Sequence, residues 1–164
     1  MKLPTSGGHA SCTTPLGRLL LAADQGGLTG VWFEGQNHQS VASDWPETTD
    51  HPLLRQAQTQ LREYFAGQRQ SFDLPLNLSG GTAFQQTVWR ALLKIPFGRT
   101  SSYGAVSTDI GRATAVRAVG LAIGRNPLAI IVPCHRVLGK DGSLTGYAGG
   151  LARKAALLKL EGAI

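Results

Sequence analysis

Cys134, His135 and Arg136 stand side by side behind Pro133 and the apolar run of residues 129–132, in the stretch "IIVPCHRVLG". A thiol is a nucleophile only as the thiolate, and with a pKa of about 8.5 only a few per cent is ionised at pH 7. Adjacent positive charge lowers that value and turns a cysteine into a reactive centre. The same residue type is also among the most often buried and inert, so the neighbours decide between the two readings. Neighbouring side chains point to opposite faces of a strand and do not meet on a helix, so a direct Cys134–His135 contact requires a sharp turn, and otherwise a water bridges the two. His135 also needs an orienting partner on its other ring nitrogen, and the best late candidate is Glu161 in "LLKLEG", although periodicity alone reads it as an ordinary exposed glutamate.

The elements that position this stretch are legible in outline. Residues 129–132 are continuously apolar and predict a short buried strand that Pro133 ends, so the sulfur emerges where a buried segment surfaces. Further on, "GKDGSLTGYAGG" carries an Asp141-Gly142 turn and sets Gly146, Gly149 and Gly150 around Tyr147, a loop that admits a flat ligand on which a tyrosine can stack, or one over which it simply packs. Upstream, Thr82 and Gln85 form a capping-box signature ahead of Phe84, Val88, Leu92 and Ile95 on one helical face, with Pro96 and Gly98 as the stop. Two short helices follow, at about residues 103–110, stopped by Gly111, and about 115–124, capped by Thr114, in a helix-turn-helix arrangement. The second, "AVRAVGLAIG", is poor in side chains that read bases. Ala115, Ala118, Gly120, Ala122 and Gly124 permit close backbone approach, and Arg117 is its long polar side chain. Such a helix suits binding at any position on DNA; taken alone it reads equally as a packing helix with Arg117 in solvent.

The first half has a different texture. "GRLLLAA" and "LTGVWF" read as strands joined through "DQGG" in an N-terminal meander, and Leu53, Ala57, Leu61 and Phe65 recur at helical spacing between Pro52 and Gly67. Phe72, Leu74, Leu76 and Leu78 alternate as in a strand that Pro75 confines to an edge or makes irregular, and "NLSGGT" is the linker. Length and composition fit one domain or two small packed ones: 164 residues, 42% hydrophobic and 16% charged. The net charge of +6 is uneven, with residues 1–84 at −2 and residues 85–164 at +8. The second half is the one suited to a polyanion, through release of the counterions condensed on phosphates. No stretch has the length of a signal or membrane-spanning segment, so a cytoplasmic protein is expected. Cys12 and Cys134 are too far apart for a disulfide framework and predict reduced thiols.

In this order, "FQQTVW", "IPFGRTSSYG", "RAVGLAIGRNP", "IIVPCHRV" and "GSLTGYAGGL" closely resemble the O6-alkylguanine-DNA alkyltransferases, the methylated-DNA–protein-cysteine methyltransferases. The resemblance covers the second half and matches the first in outline. It implies an α/β (α+β) fold: residues 1–79 as a sheet-and-helix domain of ribonuclease-H-like shape, and residues 80–164 as a winged-helix-like domain with the helix-turn-helix. It implies that the helix of Ala115, Arg117, Ala118 and Gly120 enters the minor groove of double-stranded DNA, with Arg117 replacing a flipped O6-alkylguanine; O4-alkylthymine stays an open alternative. Cys134, activated through water by His135 with Glu161 behind it, then takes the alkyl group once and irreversibly, while Tyr103 donates a proton to the departing guanine.

The resemblance further makes Asn126 the brace between helix and active-site strand, and Val137, Tyr147, Ala148 and Gly149 the pocket wall. Pro133 fixes where the sulfur emerges, and Arg136 has a structural or electrostatic part. Ala148 stands where some relatives have serine, leaving backbone N–H groups to serve the guanine oxygen, and Ala155 and Ala156 stand where relatives often have a bulkier residue. No cofactor is expected, and no metal: Cys12 lacks a cysteine partner, and His9, His38 and His51 lack recognisable spacing. The partner expected is alkylated duplex DNA, met by a monomer. Two alternatives stand beside this reading. One is a non-catalytic alkyltransferase-like damage binder, whose members lack the cysteine present here; the other is a Cys-His-Glu hydrolase of acyl substrates, against which the basic charge and the Arg117 helix weigh.

Overall fold

Glycines at strand boundaries shape the first half of the chain. The computed structural model describes residues 7–36 and 50–164; residues 1–6 and 37–49, with Lys2 and His38 among them, lie outside the described residues. Strands β1 (Gly8–Thr14), β2 (Gly17–Asp24) and β3 (Gly27–Phe33) form an antiparallel sheet in that order. Gly17 and Gly27, with φ of 120° and 133°, open β2 and β3 after two-residue turns, a conformation that a Cβ would strain. The hairpin expected around "DQGG" is therefore present. β1 escaped the sequence reading because its inward residues, Ala10 and Cys12, are small and give little apolar contrast.

Helix α1 (Pro52–Phe65) covers this sheet. Its buried face is Leu54, Ala57, Leu61 and Tyr64, not the face through Leu53 and Phe65 that the sequence suggested. Steps of three and four track a 3.6-residue repeat better than uniform steps of four. Residues 72–78 do alternate in burial but form no strand: only Leu76 bridges, to Leu28, through Leu28 N–H to the Pro75 carbonyl and Asn77 N–H to the Leu28 carbonyl. Pro75, without an N–H, limits the ladder to that one bridge.

The second half opens with α2 (Ala83–Leu92), where the capping box forms in full: Thr82 accepts from the Gln85 N–H, and Gln85 accepts from the Thr82 N–H. Helices α3 (Tyr103–Asp109) and α4 (Val116–Gly124) pack together across a turn in which Gly111 takes φ 74°. The N-cap of α4 is Ala115 rather than Thr114, and no side chain caps that end. Trp89 of α2 donates its indole N–H to the Ala122 carbonyl, at 2.8 Å, fixing α4 from behind. A two-stranded parallel ribbon, β4 (Ser101–Ser102) with β5 (Val137–Leu138), and the closing helix α5 (Leu151–Leu160) complete the described fold, a mixed α/β chain with a small sheet part and a helical part.

The expected strand over residues 129–132 is not a strand. Leu128 makes a single bridge to Val31, and the chain then turns tightly: Ile131 N–H reaches the Ala129 carbonyl, and Val132 N–H the Leu128 carbonyl. Ile130 sits at φ 72°, where a β-branched residue is strained. Burial was read correctly and conformation was not, because a continuous apolar run does not distinguish a buried strand from a buried turn.

Candidate active site

The reactive stretch occupies a 3-10 turn, Cys134–Arg136, whose three side chains are all buried. This tight geometry, rather than a strand or helix, fans the adjacent side chains apart. His135 and Arg136 converge on Glu161, the residue that ends α5: His135 Nε2 lies 2.8 Å from Glu161 Oε2, and Arg136 reaches Oε1 through Nε at 2.8 Å and Oε2 through Nη2 at 3.0 Å. Glu161 is thus the partner expected for His135, and its buried side chain overturns the exposed alternative. Arg136 also donates to the Ile95 carbonyl at 2.6 Å, so its guanidinium joins Glu161 to the segment after α2. Burial would raise the Glu161 carboxyl, yet the hydrogen bonds from His135 and Arg136 outweigh it and hold the group at about 2, so it is a carboxylate. Burial in turn lowers His135 against the pull of Glu161, leaving a neutral imidazole. With Nε2–H donating to the carboxylate, Nδ1 is a buried acceptor with no protein partner among the described residues.

Cys134 points the other way, into a cavity of about 210 Å³ lined also by Tyr103, Gly120, Asn126, Tyr147 and Ala148. Gly149 lines it too, and a Cβ there would come within 3.0 Å of Phe33 and 2.9 Å of the Tyr147 ring. Burial pushes the Cys134 thiol up; a hydrogen bond from Asn126 and the Lys154 ammonium work against this without reversing it, so the resting sulfur is a thiol. The sequence had pointed to activation by neighbouring cations, but Arg136 is committed to Glu161. Asn126 ties a turn where the expectation had it brace a strand: Nδ2 donates to the Val132 carbonyl at 2.8 Å and Oδ1 accepts from the Leu128 N–H at 2.9 Å, locking the turn that delivers the cysteine. Pro133, buried, precedes the 3-10 turn at its N-cap.

Val137 departs from its expected place. It is fully buried in β5 and does not line the cavity; its carbonyl instead accepts from Lys154 Nζ at 2.6 Å. Lys154, wholly buried, was missed by the sequence reading, as was Tyr64; nothing in their spacing marks them. Lys154 also reaches the Thr145 carbonyl at 2.8 Å, and Tyr103 donates to that same carbonyl at 2.9 Å. The Thr145 carbonyl thus accepts from both Lys154 and Tyr103. Arg117 and Ala118 are exposed on α4, with Leu121 71% exposed beside them, while Gly120 and Gly124 form the cavity's edge. Gln36 also lines the cavity, a contribution of the first half that the sequence reading did not foresee.

A thiol at the floor of a small cavity, beside a buried imidazole–carboxylate pair and under an exposed arginine-bearing helix, defines a cysteine-dependent group-transfer site. Comparison with known proteins makes the class specific. Residues 83–163 match the model of the 6-O-methylguanine DNA methyltransferase DNA-binding domain, and residues 9–78 that of its ribonuclease-like domain. The chain is 50% identical to a methylated-DNA–protein-cysteine methyltransferase of Methanosarcina acetivorans, over 94% of this chain and 97% of that protein. The crystal structure of the Mycobacterium tuberculosis O6-methylguanine methyltransferase superposes with a TM-score of 0.87 at 47% identity, covering 95% and 93% of the two chains. The M. tuberculosis protein in complex with DNA superposes at 0.84 with 48% identity, covering 94% and 92%. The chain belongs to the methylated-DNA–protein-cysteine methyltransferase family.

Proposed function

We propose that this protein repairs DNA by direct reversal, moving the alkyl group of O6-alkylguanine onto Cys134 in a single, irreversible turnover. The observation that carries the reading is the Cys134 sulfur in a cavity lined by Asn126, Tyr147, Ala148 and Gly149, backed by the neutral His135 and its Glu161 partner. Helix α4 enters the minor groove, Arg117 fills the gap left by the flipped nucleotide, and the small residues Ala115, Ala118 and Gly120 allow the backbone close to the DNA. Weakened pairing at the lesion makes flipping cheaper there than at an intact base.

In the pocket the thiol proton passes through a water to His135 Nδ1, Sγ attacks the alkyl carbon, and the bond from that carbon to guanine O6 breaks. Tyr103 supplies a proton to the departing guanine, which leaves neutral. His135, holding the thiol proton as an imidazolium paired with Glu161, gives it up, and that one proton, relayed through solvent, restores Tyr103. The product is a thioether, which water does not cleave, so each molecule reacts once. Tyr147 stacks on the base, and backbone N–H groups serve the guanine oxygen where Ala148 has no hydroxyl. Two units divide the labour, residues 1–79 as scaffold and 80–164 as reader and acceptor, in a protein acting as a monomer.

The test is incubation with duplex DNA containing O6-methylguanine, followed by intact mass and peptide mapping. One methyl per molecule on Cys134, absent in Cys134→Ala, is expected; repeated turnover or an unmodified Cys134 overturns the reading.

A further inference from the structure

Glu161 Oε2, the oxygen that meets His135, receives two further donors: Arg136 Nη2 and the Tyr64 hydroxyl, the latter at 2.6 Å and buried, from a position 97 residues away in the chain. Among the described residues, Oε1 receives Arg136 Nε alone. A carboxylate oxygen offers two lone pairs, so three described donors crowd Oε2 while one meets Oε1. Charge neutralisation already comes from Arg136. A tyrosine serving only to satisfy a buried carboxylate would sit on the less crowded oxygen; this one shares the atom that holds the imidazole. We propose that Tyr64, on α1 of the first half, is a positioning residue for the His135–Glu161 pair, setting how strongly the carboxylate pulls on the imidazole N–H.

The physical effect follows from hydrogen-bond competition. A donor on Oε2 withdraws electron density from that oxygen, weakens its hold on the His135 Nε2–H, and keeps the imidazole less basic. Burial keeps Tyr64 protonated and therefore always a donor. The ring is fixed for this task by its contacts with Phe65, Phe72 and Phe97, at centroid distances of 5.3, 5.5 and 6.2 Å, and Phe97 also carries the Arg136 guanidinium 5.9 Å from its centroid. The charged and titratable groups around the pair are Arg136 and Cys134 of the 3-10 turn, Lys154 of α5, Tyr147 of the glycine-rich loop and Tyr64 itself. Of these, Tyr64 and Arg136 bond the carboxylate directly, and among the described residues of the first half Tyr64 is the one that donates to it.

This rests on the proposed alkyl transfer, and the experiment separates the two. Rates of Cys134 alkylation by free O6-benzylguanine are measured from pH 4.5 to 9 in the full chain, in Tyr64→Phe, and in the chain with 3-fluorotyrosine at position 64, a stronger donor. The His135 imidazole is titrated by NMR in the same three proteins. Tyr64→Phe should move the acid limb and the His135 titration up by about 0.5 unit, a fraction of the effect of one hydrogen bond to a charged group, and 3-fluorotyrosine should move both down. Identical limbs and identical His135 titrations in all proteins that fold overturn the proposal. A full chain that O6-benzylguanine does not alkylate overturns the proposed function instead, and the His135 titrations still decide the part of Tyr64. Should Tyr64→Phe not fold, the nearly isosteric fluorotyrosine chain carries the comparison.

Discussion

At Cys134 the electrostatics favour storage over permanent activation. Burial holds the sulfur as a thiol, and the Lys154 ammonium is one of the two groups opposing it most. A buried thiol that ionises only when a base takes its proton is protected from adventitious electrophiles, which suits the single use proposed for it. Lys154→Met, similar in length and uncharged, should raise the thiol further. Labelling of Cys134 by iodoacetamide at pH 8, followed by peptide mass, is expected to slow severalfold; an unchanged rate would remove Lys154 from the electrostatics of the site. Ile130 belongs to the same scale: its positive φ is tolerated because its side chain is buried and the turn is tied by Asn126.

Among the elements, α4 divides its two faces between packing and exposure, and the exposed face is the one proposed to meet DNA. Val119, Ala122 and Ile123 are buried against the rest of the chain, leaving Arg117, Ala118 and Leu121 outward. If Arg117 replaces the flipped nucleotide, Arg117→Ala should slow repair in duplex DNA far more than reaction with free O6-benzylguanine, which needs no flipping; equal losses would refute the assignment. Helix α2 supports α4 through Trp89 and depends on its own start. Thr82→Ala removes the capping box and should cost about 1 kcal/mol, read as a lower urea midpoint at unchanged slope.

Taken whole, the molecule joins its parts through the site. β3 is flanked on its outer edge by residues 75–77 and 127–129, so the strand that ends the meander also anchors the turn leading to Cys134. Arg153 ties the Leu16 carbonyl to the Gly149 carbonyl and lies 4.5 Å from the Phe33 ring centroid, binding the pocket loop to the sheet. Stability should fall with acid in two stages. His135 is lowered below 6.5, so the unfolded chain binds its proton first and stability drops as pH falls through 6.5. Glu161 sits at about 2 against an ordinary 4.5, so its contribution is complete above 4.5 and is lost towards pH 2. Melting temperature measured from pH 8 to 3 should decline as pH falls through 6.5 and again below 4.5, and Glu161→Gln should flatten the part below 4.5.

Where a local rule has a single solution, the sequence was sufficient. The Thr82–Gln85 capping box, the glycine-bounded hairpin, the Asp141-Gly142 turn and the company kept by Pro133, Cys134 and His135 are short-range patterns, and all are legible from residue types and spacing. Tertiary structure decided what depends on contacts between distant positions. Residues 129–132 are apolar whether extended or turned, and only the bridge to β3 and the Asn126 bonds select the turn. Lys154 and Tyr64 look like ordinary helix residues until two carbonyls and one carboxylate reach them across the fold. Glu161 is the plainest case: a glutamate at a helix end is polar surface by composition, and becomes the anchor of His135 and Arg136 because packing removes water from it and leaves those donors to take its place.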